Sequence, residues 1–590
     1  MKKNSLLTRF LIWRMKNLSD SNFMILLAMV IGLVVGFAAI ILKYSVHGVQ
    51  WLLTRSFVFE YQNLLYFAIP TVGILFVVLF VRHFIKIKIG EGIPAVLYAI
   101  SKNNGQIKPH SMYSSISGSA VTVGFGGSVG LEAPIVSTGA AIGSNIGRML
   151  HLNYRQILLL IGCGCAGAIA AIFKAPIAAI VFVMEVIMLD LKMSLLVPLL
   201  IASSTAALTS FGFLGMDVIY KFNITHTFTL NNIPFYIFFG IIAGFTSLHF
   251  TRMYMFINKQ FEKIQKWYKK LLIGGIALGV IIYFFPPLYG EGYDSINSCL
   301  NGDFTHLFNG SVYSDYKNNI FFALILLFLI VVFKVIATSV TLGAGGIGGI
   351  FAPSLFTGAH AGLLFAVGMN YFGFELPISN FALVGMAGLL AGVFHAPLTA
   401  IFLIAEITHG YDLFMPIMIV ATLSYATIKI FEKNSVYTME LARKGELLTH
   451  DADKNMLKLL KVDKLIETDF KTVDPDATLG DLVKIIGRSS RNIFPVLDEK
   501  GHLSGIVLLD HIRHIMFNPE MYNTTYVRDL MIVPTENVDL NDSMEDVAQK
   551  FQTSGNFNIP VLDNGKYVGF VSRANTFSAY RNLLKEFSDD

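Results

Sequence analysis

The stretch GFGGSVGLEAPIVSTGAAIG (residues 124–143) decides the fold, because it places one carboxylate, Glu132, among glycines in a long apolar region. Glycine-rich backbone leaves regular helix easily, and proline is favoured in the first turn of a helix, where its missing N–H would be unpaired anyway. Inside a membrane, irregular backbone is tolerated only where protein covers it or where it lines a watery cavity. The stretch therefore predicts a helix that begins within the membrane, beside a transport path.

Composition places this 590-residue chain in a membrane, because 54% of its residues are hydrophobic and only 14% are charged. Clear candidate spans, near the roughly 20 residues that cross hydrocarbon, are 23–42, 64–81, 195–208, 235–250, 272–285, 320–336 and 414–431. Lysine and acidic residues instead crowd the segment after residue 440, which predicts a soluble tail. The net charge of +5 is modest, and no basic, aromatic-interleaved surface supports nucleic-acid binding.

Two blocks recur along the membrane part. GAIAAIFKAPIAAIVFVMEV (167–186) matches GLLAGVFHAPLTAIFLIAEI (388–407) at an offset of 221 residues, and GGSVGLEAPIVSTGAAIG (126–143) matches GGIGGIFAPSLFTGAHAG (345–362) at an offset of 219. Two blocks at nearly one offset indicate a duplicated unit. Duplicated membrane units are often inverted, with half-helices that aim their N-termini at a midplane site. We therefore expect an α-helical integral membrane protein built from an inverted repeat of broken helices.

The soluble tail carries a duplication of its own, because IFPVLDEKGHLSGIVLLDHI (493–512) resembles NIPVLDNGKYVGFVSRANTF (558–577). A helical stretch precedes each copy, so paired β-α-β-β-α units are expected to form an α/β module. The expected domains, in chain order, are a membrane domain 1–445 with repeats at about 60–225 and 235–440, a linker 446–462, and two soluble units 463–520 and 525–586.

Glu132 is the candidate gate of the transport path. The free N–H groups and the macrodipole of a helix N-terminus favour an anion by roughly 0.3–1 kcal/mol. The Glu132 carboxylate lies next to the Ala-Pro step, where it would compete with an anion for the same amides. An acid at the bilayer centre costs at least about 2.5–3.5 kcal/mol, and the equivalent residue in the second repeat is the apolar Phe351. We favour a gate that protons, voltage or incoming anions displace over a carboxylate that only caps its own helix.

The sequence resembles the CLC family of chloride channels and proton-coupled chloride exchangers. The motifs that carry the resemblance are GEGIP (90–94), GLEAP (130–134) and GIFAP (349–353), and the tail resembles a pair of CBS domains. The resemblance implies a homodimer with one pore per subunit for chloride or a similar small anion. It also implies that Glu132 gates the pore and that the central anion is contacted by Glu91, Gly92, Ile350, Phe351 and Tyr437, with the amides of Ile350 and Phe351 and the hydroxyl of Tyr437 as donors.

Two departures from the family pattern bear on mechanism. The second glutamate of the exchangers, which passes protons from the inner side, is replaced here by Val186, so a passive channel is the leading hypothesis. Proton-coupled antiport through another relay is the alternative. Glu91 stands where the family commonly has a serine, and an ionised carboxylate there would repel the anion. Three interpretations of Glu91 stay open: a protonated donor, a side chain in the inner vestibule, or a substitute proton path.

The tail and the remaining polar residues give weaker predictions. CBS pairs can bind adenine nucleotides through a Gly-x-x-Ser/Thr-x-x-Asp pattern, which survives here only as Asp510 in the first copy and Ser572 with Asn575 in the second. A nucleotide site and a purely structural tail are therefore alternatives, and no cofactor is required. Glu185 and Glu406, at equivalent positions, are expected to hold helix ends.

The sequence contains no motif that indicates catalysis or metal binding. HExxH is absent, and no nucleophile and base stand at useful spacing, so an enzyme is not expected. Cys163, Cys165 and Cys299 are assigned no role, His360 is interpreted as a single satisfied histidine, and no metal site is predicted. A divalent-cation transporter would need clustered oxygen ligands.

The basic opening segment MKKNSLLTRFLIWRMKNLSD (1–20) is predicted to be a cytoplasmic tail by the positive-inside rule. We therefore expect a multi-pass protein of the cell membrane with both termini in the cytoplasm.

Overall fold

The protein is described by a computed structural model over residues 6–56, 62–86, 92–187, 195–216, 220, 228–308, 311–408, 412–443 and 460–588. The chain forms two compact units that divide between Leu447 and Leu448. Glu91 and most of the predicted linker 446–462 lie outside the described residues.

The first unit is helical. Its helices are α1 (Leu6–Asn17), α2 (Asp20–Ser56), α3 (Gln62–Phe80), α4 (Gly92–Lys102), α5 (Ser111–Gly124), α6 (Glu132–Met149), α7 (Tyr154–Phe173), α8 (Pro176–Phe182), α9 (Leu196–Leu214), α10 (Ile233–Glu262), α11 (Trp267–Phe284), α12 (Tyr293–Leu300), α13 (Ile320–Gly343), α14 (Phe351–Tyr371), α15 (Ile378–Phe394), α16 (Pro397–Ile407), α17 (Phe414–Phe431) and α18 (Val436–Arg443). All seven predicted spans fall on these helices.

Nine helical stretches among the described residues are long and apolar enough to cross a membrane, two more than the sequence predicted. The two additional ones are α7 and α14, which lie in the glycine-interrupted regions, and 89% of the apolar window of each is buried inside the protein. Their glycines allow close helix packing: Gly139 of α6 lies against the Gly164 carbonyl of α7, and Gly358 of α14 against the Gly385 carbonyl of α15. Small residues at such crossings let two backbones approach, as membrane helices commonly do.

Helices α2 and α10 make similar glycine contacts with their neighbours. Gly32 and Gly36 of α2 lie against α9, and Gly240 and Gly244 of α10 lie in the same way against α17. The spacing of these glycines is equal in the two helices, but their offset differs from that of the two long blocks. A search at one fixed offset therefore could not pair them.

The second unit confirms the predicted β-α-β-β-α pattern in both copies. Its elements are β1 (Ile466–Glu467), α19 (Leu479–Ile486), β2 (Ile493–Leu497), β3 (Leu503–Leu508), α20 (Leu509–Ile512), α21 (Val527–Leu530), β4 (Val538–Asp539), α22 (Met544–Ser554), β5 (Asn558–Asp563), β6 (Lys566–Ser572) and α23 (Arg573–Ser588). One sheet has the strand order β1-β6-β5-β4, and the other pairs β2 with β3. Each copy contributes a strand or bridge to the sheet of the other copy. Ile466 in β1 pairs with Val571 in β6, and Ile532, after α21, forms a bridge with Ile506 in β3.

Candidate functional site

The two glycine-rich loops meet and pair with each other. The Gly130 N–H donates to the Gly349 carbonyl, and the Gly349 N–H donates to the Gly130 carbonyl, each at 2.8 Å. Helices α6 and α14 begin two residues later, at Glu132 and Phe351. Both starts are one residue earlier than the Ala-Pro step, so each proline stands in the first turn, as expected. The pairing brings the N-termini of the two helices to one place inside the protein.

The Glu132 side chain is fully buried at this meeting point. Its Oε1 atom accepts a hydrogen bond of 2.9 Å from the Tyr293 hydroxyl, whereas its Oε2 atom has no hydrogen-bond partner. A Cβ atom on Gly130 would lie 2.1 Å from Oε2 and 3.1 Å from the Ala352 amide nitrogen, so the carboxylate occupies space beside the first turn of α14. The carboxylate therefore lies where an anion bound to those amides would lie.

Several buried or partly buried charged residues that the sequence did not connect lie near this carboxylate. Glu291 interacts electrostatically with Glu132, Lys43 and Lys334. The Lys334 ammonium donates to the Ser128 hydroxyl at 2.9 Å and to the Gly290 carbonyl at 3.2 Å. Lys334 is fully buried, so its ammonium group does not reach the membrane surface. Glu291 and Tyr293 both belong to the short acidic segment GEGYD (290–294).

A cavity of about 440 Å³ opens onto the starts of three helices. Gly92 opens α4, Ala133 and Pro134 stand in the first turn of α6, and Ile350 precedes α14; all four residues line the cavity. Tyr437 lines it as well, and its buried hydroxyl has no hydrogen-bond partner. Converging helix N-termini and an unpaired hydroxyl present hydrogen-bond donors to this part of the cavity, which is the chemistry of an anion site.

The Tyr437 hydroxyl is held in place by aromatic packing. Its ring stacks on Phe394 with the ring centroids 4.7 Å apart, and Phe394 stacks in turn on Phe351 at 5.3 Å. The Phe351 side chain is therefore engaged in packing, and only its backbone amide is left to act as a donor. Three charged residues line the same cavity: the lysines Lys259 and Lys270 and the acid Glu262.

The predicted anion-binding residues Gly92, Ile350 and Tyr437 thus share one cavity, whereas Glu91 lies outside the described residues. Val186, for which the family resemblance implies a lost proton-relay position, is buried in a short π-helical turn at Val183–Ile187.

Glu185 and Glu406 each bind the start of a helix in the other repeat. Glu185 accepts the backbone N–H groups of Leu398 and Thr399, at the start of α16, at 3.0 and 2.7 Å. Glu406 accepts those of Ile177 and Ala178, at the start of α8, at 3.1 and 2.7 Å. Unpaired amides at a helix start favour an acidic partner. The prediction that both acids hold helix ends is confirmed.

The three candidate nucleotide-binding residues of the tail form hydrogen bonds or ion pairs with other residues of the tail. Asp510 pairs with Arg513 at 2.5 Å, and the Ser572 hydroxyl donates to Glu467 at 2.5 Å. The backbone N–H of Asn575 donates to the Ser572 hydroxyl at 3.1 Å. These contacts show how the residues stabilise the fold, and their part in nucleotide binding stays a prediction.

Cys299, which was assigned no role, and His360, which was interpreted as a single satisfied histidine, lie in one cluster with His306. The sulfur of Cys299 and ring nitrogens of His306 and His360 lie within 4.8 Å of one another. Sequence reasoning missed the cluster because its members lie on three separate elements, up to 61 positions apart, and follow no ligand spacing.

Comparison with known proteins assigns both units. The profile described as "Voltage gated chloride channel" matches residues 73–429, and the CBS domain profile matches residues 462–518 and 527–581. The chain is 27% identical over 438 residues to the H⁺/Cl⁻ exchange transporter ClcA of Vibrio vulnificus, which covers 71% of this chain and 89% of that protein. It is 25% identical over 332 residues to the voltage-gated ClC-type chloride channel ClcB of Escherichia coli, which covers 55% of this chain and 74% of that protein.

The solved structures agree with the fold. A slow cyanobacterial Cl⁻/H⁺ antiporter superposes with a TM-score of 0.60 at 22% identity, and the match covers 72% of this chain and 99% of the antiporter. The chain belongs to the voltage-gated chloride channel (CLC) family of multi-pass integral membrane transport proteins and carries a C-terminal CBS domain pair.

Proposed function

We propose that this protein is a passive channel for chloride or a similar small anion, and that Glu132 is its gate. The observation that carries the proposal is the Glu132 carboxylate beside the first turn of α14, with an unpaired oxygen, next to a cavity lined by helix starts. Backbone amides attract an anion without a fixed countercharge, so binding strips part of the hydration shell yet allows the ion to leave.

The gate works by competition. When the carboxylate is ionised it occupies the position beside the Ala352 amide, and a hydrogen bond from Tyr293 holds it there. Protonation removes the charge that the amides attract, and the neutral side chain then gives way to an anion. Anion flux is therefore expected to rise as the pH falls.

Passive conduction is favoured by Val186, because valine cannot carry protons to the gate from the inner side. One observation favours the second candidate function, proton-coupled anion antiport: Glu291 is an acid close enough to Glu132 to interact with it electrostatically, so it offers a different proton relay. Relatives of both kinds share this family, since ClcA is named an exchanger and ClcB a channel.

The proposal extends to assembly and location. We place the protein in the cell membrane as a homodimer with one pore per subunit, both termini in the cytoplasm, and the domain boundaries given in the sequence analysis. The CBS pair is proposed as the regulatory part, with an adenine nucleotide as its candidate ligand.

Reversal potentials in liposomes separate the two candidate functions. Purified protein is reconstituted with a chloride gradient, and the potential at zero current is measured with and without an added pH gradient. A channel gives the chloride equilibrium potential in both cases, whereas a shift with the pH gradient would establish antiport. Glu132→Gln should conduct at a rate independent of pH, and Glu375→Gln, at an exposed acid, is the matched control.

A further inference from the structure

We propose that Cys299, His306 and His360 form a binding site for a transition-metal ion of the Zn²⁺ type, and that the bound ion holds the gate closed. The three residues come from three elements: Cys299 from α12, His306 from the 3₁₀ turn Thr305–Phe308, and His360 from α14. Their ligand atoms lie within 4.8 Å of one another, and the Nε2 atoms of the two histidines are 3.4 Å apart.

The backbone fixes the protonation of both rings. His306 Nδ1 lies 2.7 Å from the Asp303 carbonyl oxygen, and His360 Nδ1 lies 2.8 Å from the Phe356 carbonyl oxygen. A carbonyl oxygen only accepts hydrogen bonds, so each Nδ1 must carry its proton. In the neutral rings both Nε2 atoms then present lone pairs to each other, and a proton or a metal ion between them would stabilise this arrangement. Nδ1–H bonds to carbonyl groups are also the usual outer contacts of metal-binding histidines.

The spacing fits one tetrahedral ion. Zn–N bonds are about 2.0–2.1 Å long, so two nitrogens on one tetrahedral Zn²⁺ lie about 3.3–3.4 Å apart. The two Nε2 atoms already have this separation. The sulfur of Cys299 supplies a third ligand of the soft type that selects Zn²⁺ over Ca²⁺ or Mg²⁺, and binding releases its thiol proton to water.

The three proposed ligands differ in their exposure to solvent. Cys299 and His360 are fully buried, whereas His306 is partly exposed and lies between α12 and α13. His360 also stacks on Phe356, with ring centroids 3.9 Å apart, which fixes its ring plane. Two rigid ligands and one on a short turn suit an ion that enters from solvent past His306.

The site is connected to the gate through its two helices. α12 begins with Tyr293, whose hydroxyl donates to Glu132, and carries Cys299 in its last turn. α14 carries His360 and begins at Phe351, beside the same carboxylate. An ion bound to Cys299 and His360 ties these helices together and keeps Tyr293 on Glu132. This effect on anion flux rests on the proposed function, whereas metal binding itself does not.

Cobalt absorption tests the binding step without any transport assay. Co²⁺ is titrated into the purified full-length protein, and the thiolate-to-cobalt charge-transfer band is recorded. We expect the band in the wild type, its loss in Cys299→Ser, and at least about 10-fold weaker binding in His306→Gln, since even outer-shell changes typically cost 10–100-fold. Cys163→Ser and His151→Gln, which alter a buried thiol and an exposed histidine elsewhere, are the matched controls.

Zinc-dependent flux tests the regulatory step. Zn²⁺ equilibrated on both sides of the liposomes should slow wild-type anion efflux and should not slow efflux through His306→Gln. If the cobalt band depends on Cys299 but the protein transports no anion, the metal site stands and the proposed function is overturned. If the cobalt band is present but Zn²⁺ does not slow anion efflux, the proposed coupling between the metal site and the gate is overturned. If no cobalt band appears, the two histidines share only a proton and the proposed metal site is overturned.

Discussion

Gly130 and Gly349 exchange two backbone hydrogen bonds, and they are equivalent residues of the two repeats. Equivalent residues that pair with each other in antiparallel fashion lie on a local two-fold axis. The same exchange recurs nearby, because the Ile347 N–H donates to the Thr122 hydroxyl and the Ser128 N–H donates to the Thr341 hydroxyl. The axis brings the start of α6 against the start of α14, which gives the carboxylate of one repeat access to the amides of the other.

Gly130→Ala should displace the gate. The new methyl group would lie 2.1 Å from Glu132 Oε2, so the carboxylate has to move away from the first turn of α14. We expect higher anion efflux at neutral pH and a weaker response to acid, measured in liposomes across a pH series. Gly167→Ala is the control, because its methyl group would meet its nearest neighbour at an ordinary 3.5 Å. Wild-type pH dependence in Gly130→Ala would contradict this position for the gate.

Tyr293→Phe should loosen the gate without opening new space. The substitution removes the hydrogen bond to Glu132, and a bond to a charged group contributes roughly 1.5–3 kcal/mol. The equilibrium between closed and open gate should therefore shift by about tenfold or more, since 1.4 kcal/mol corresponds to a factor of ten. Single-channel open probability measures the shift. Tyr220→Phe is the matched control, because the Tyr220 hydroxyl has no hydrogen-bond partner and its ring packs on Tyr293; an equal effect there would rule out the hydrogen bond as the cause.

Glu185→Gln and Glu406→Gln should each destabilise the membrane domain to a similar extent. Each change removes the charge from a carboxylate that accepts two backbone N–H groups, and loss of a helix cap costs about 0.5–2 kcal/mol. The unfolding temperature in detergent should fall in both variants, while anion selectivity stays unchanged. Glu185 also accepts the Thr399 hydroxyl at 2.7 Å, so a somewhat larger loss in Glu185→Gln agrees with both caps. A fall in only one of the two variants would contradict a capping role for the other residue.

The start of α19 should weaken in acid. The Thr478 hydroxyl, and after it the Lys484 ammonium, lower the pKa of Asp481 below its usual value. A lowered pKa means that the stabilisation is complete above the unfolded-state value of about 3.9 and is lost as the pH falls through the folded-state value. Hydrogen exchange of α19, corrected for its intrinsic pH dependence, should show this loss in the wild type and not in Asp481→Asn. Glu499→Gln, in an exposed turn, should behave as the wild type.

The sequence predicted the features that are repeated along it. Two offsets near 220 residues indicated the duplication, and the shared role of Glu185 and Glu406 followed from it. The apolar spans followed from hydrophobicity, and the Ala-Pro helix starts from the chemistry of glycine and proline. The helices α7 and α14 were missed as spans because their glycines lower the apolar signal, although those glycines allow the packing that buries them.

The parts that sequence reasoning missed depend on contacts between distant elements. Tyr293 reaches Glu132 across 161 positions, and no local pattern marks a tyrosine in a short loop helix as a partner of the gate. Lys334 stands in a long apolar helix, and only the fold brings Ser128 and Gly290 to its ammonium group. Each of these contacts joins two residues that are far apart in the sequence and belongs to no repeated pattern. Neither periodicity nor repetition in the sequence can therefore predict it.

Anomalous scattering from bromide tests the central claim most directly, because it locates the anion itself. Crystals of the wild type and of Glu132→Gln are grown with bromide in place of chloride. The account predicts a bromide peak in the cavity, within hydrogen-bond distance of the Ile350 or Phe351 amide and the Tyr437 hydroxyl. It predicts a second peak in Glu132→Gln alone, at the position that the carboxylate occupies beside the Ala352 amide. Bromide bound only at lysine side chains, or an identical pattern in both proteins, would contradict the account.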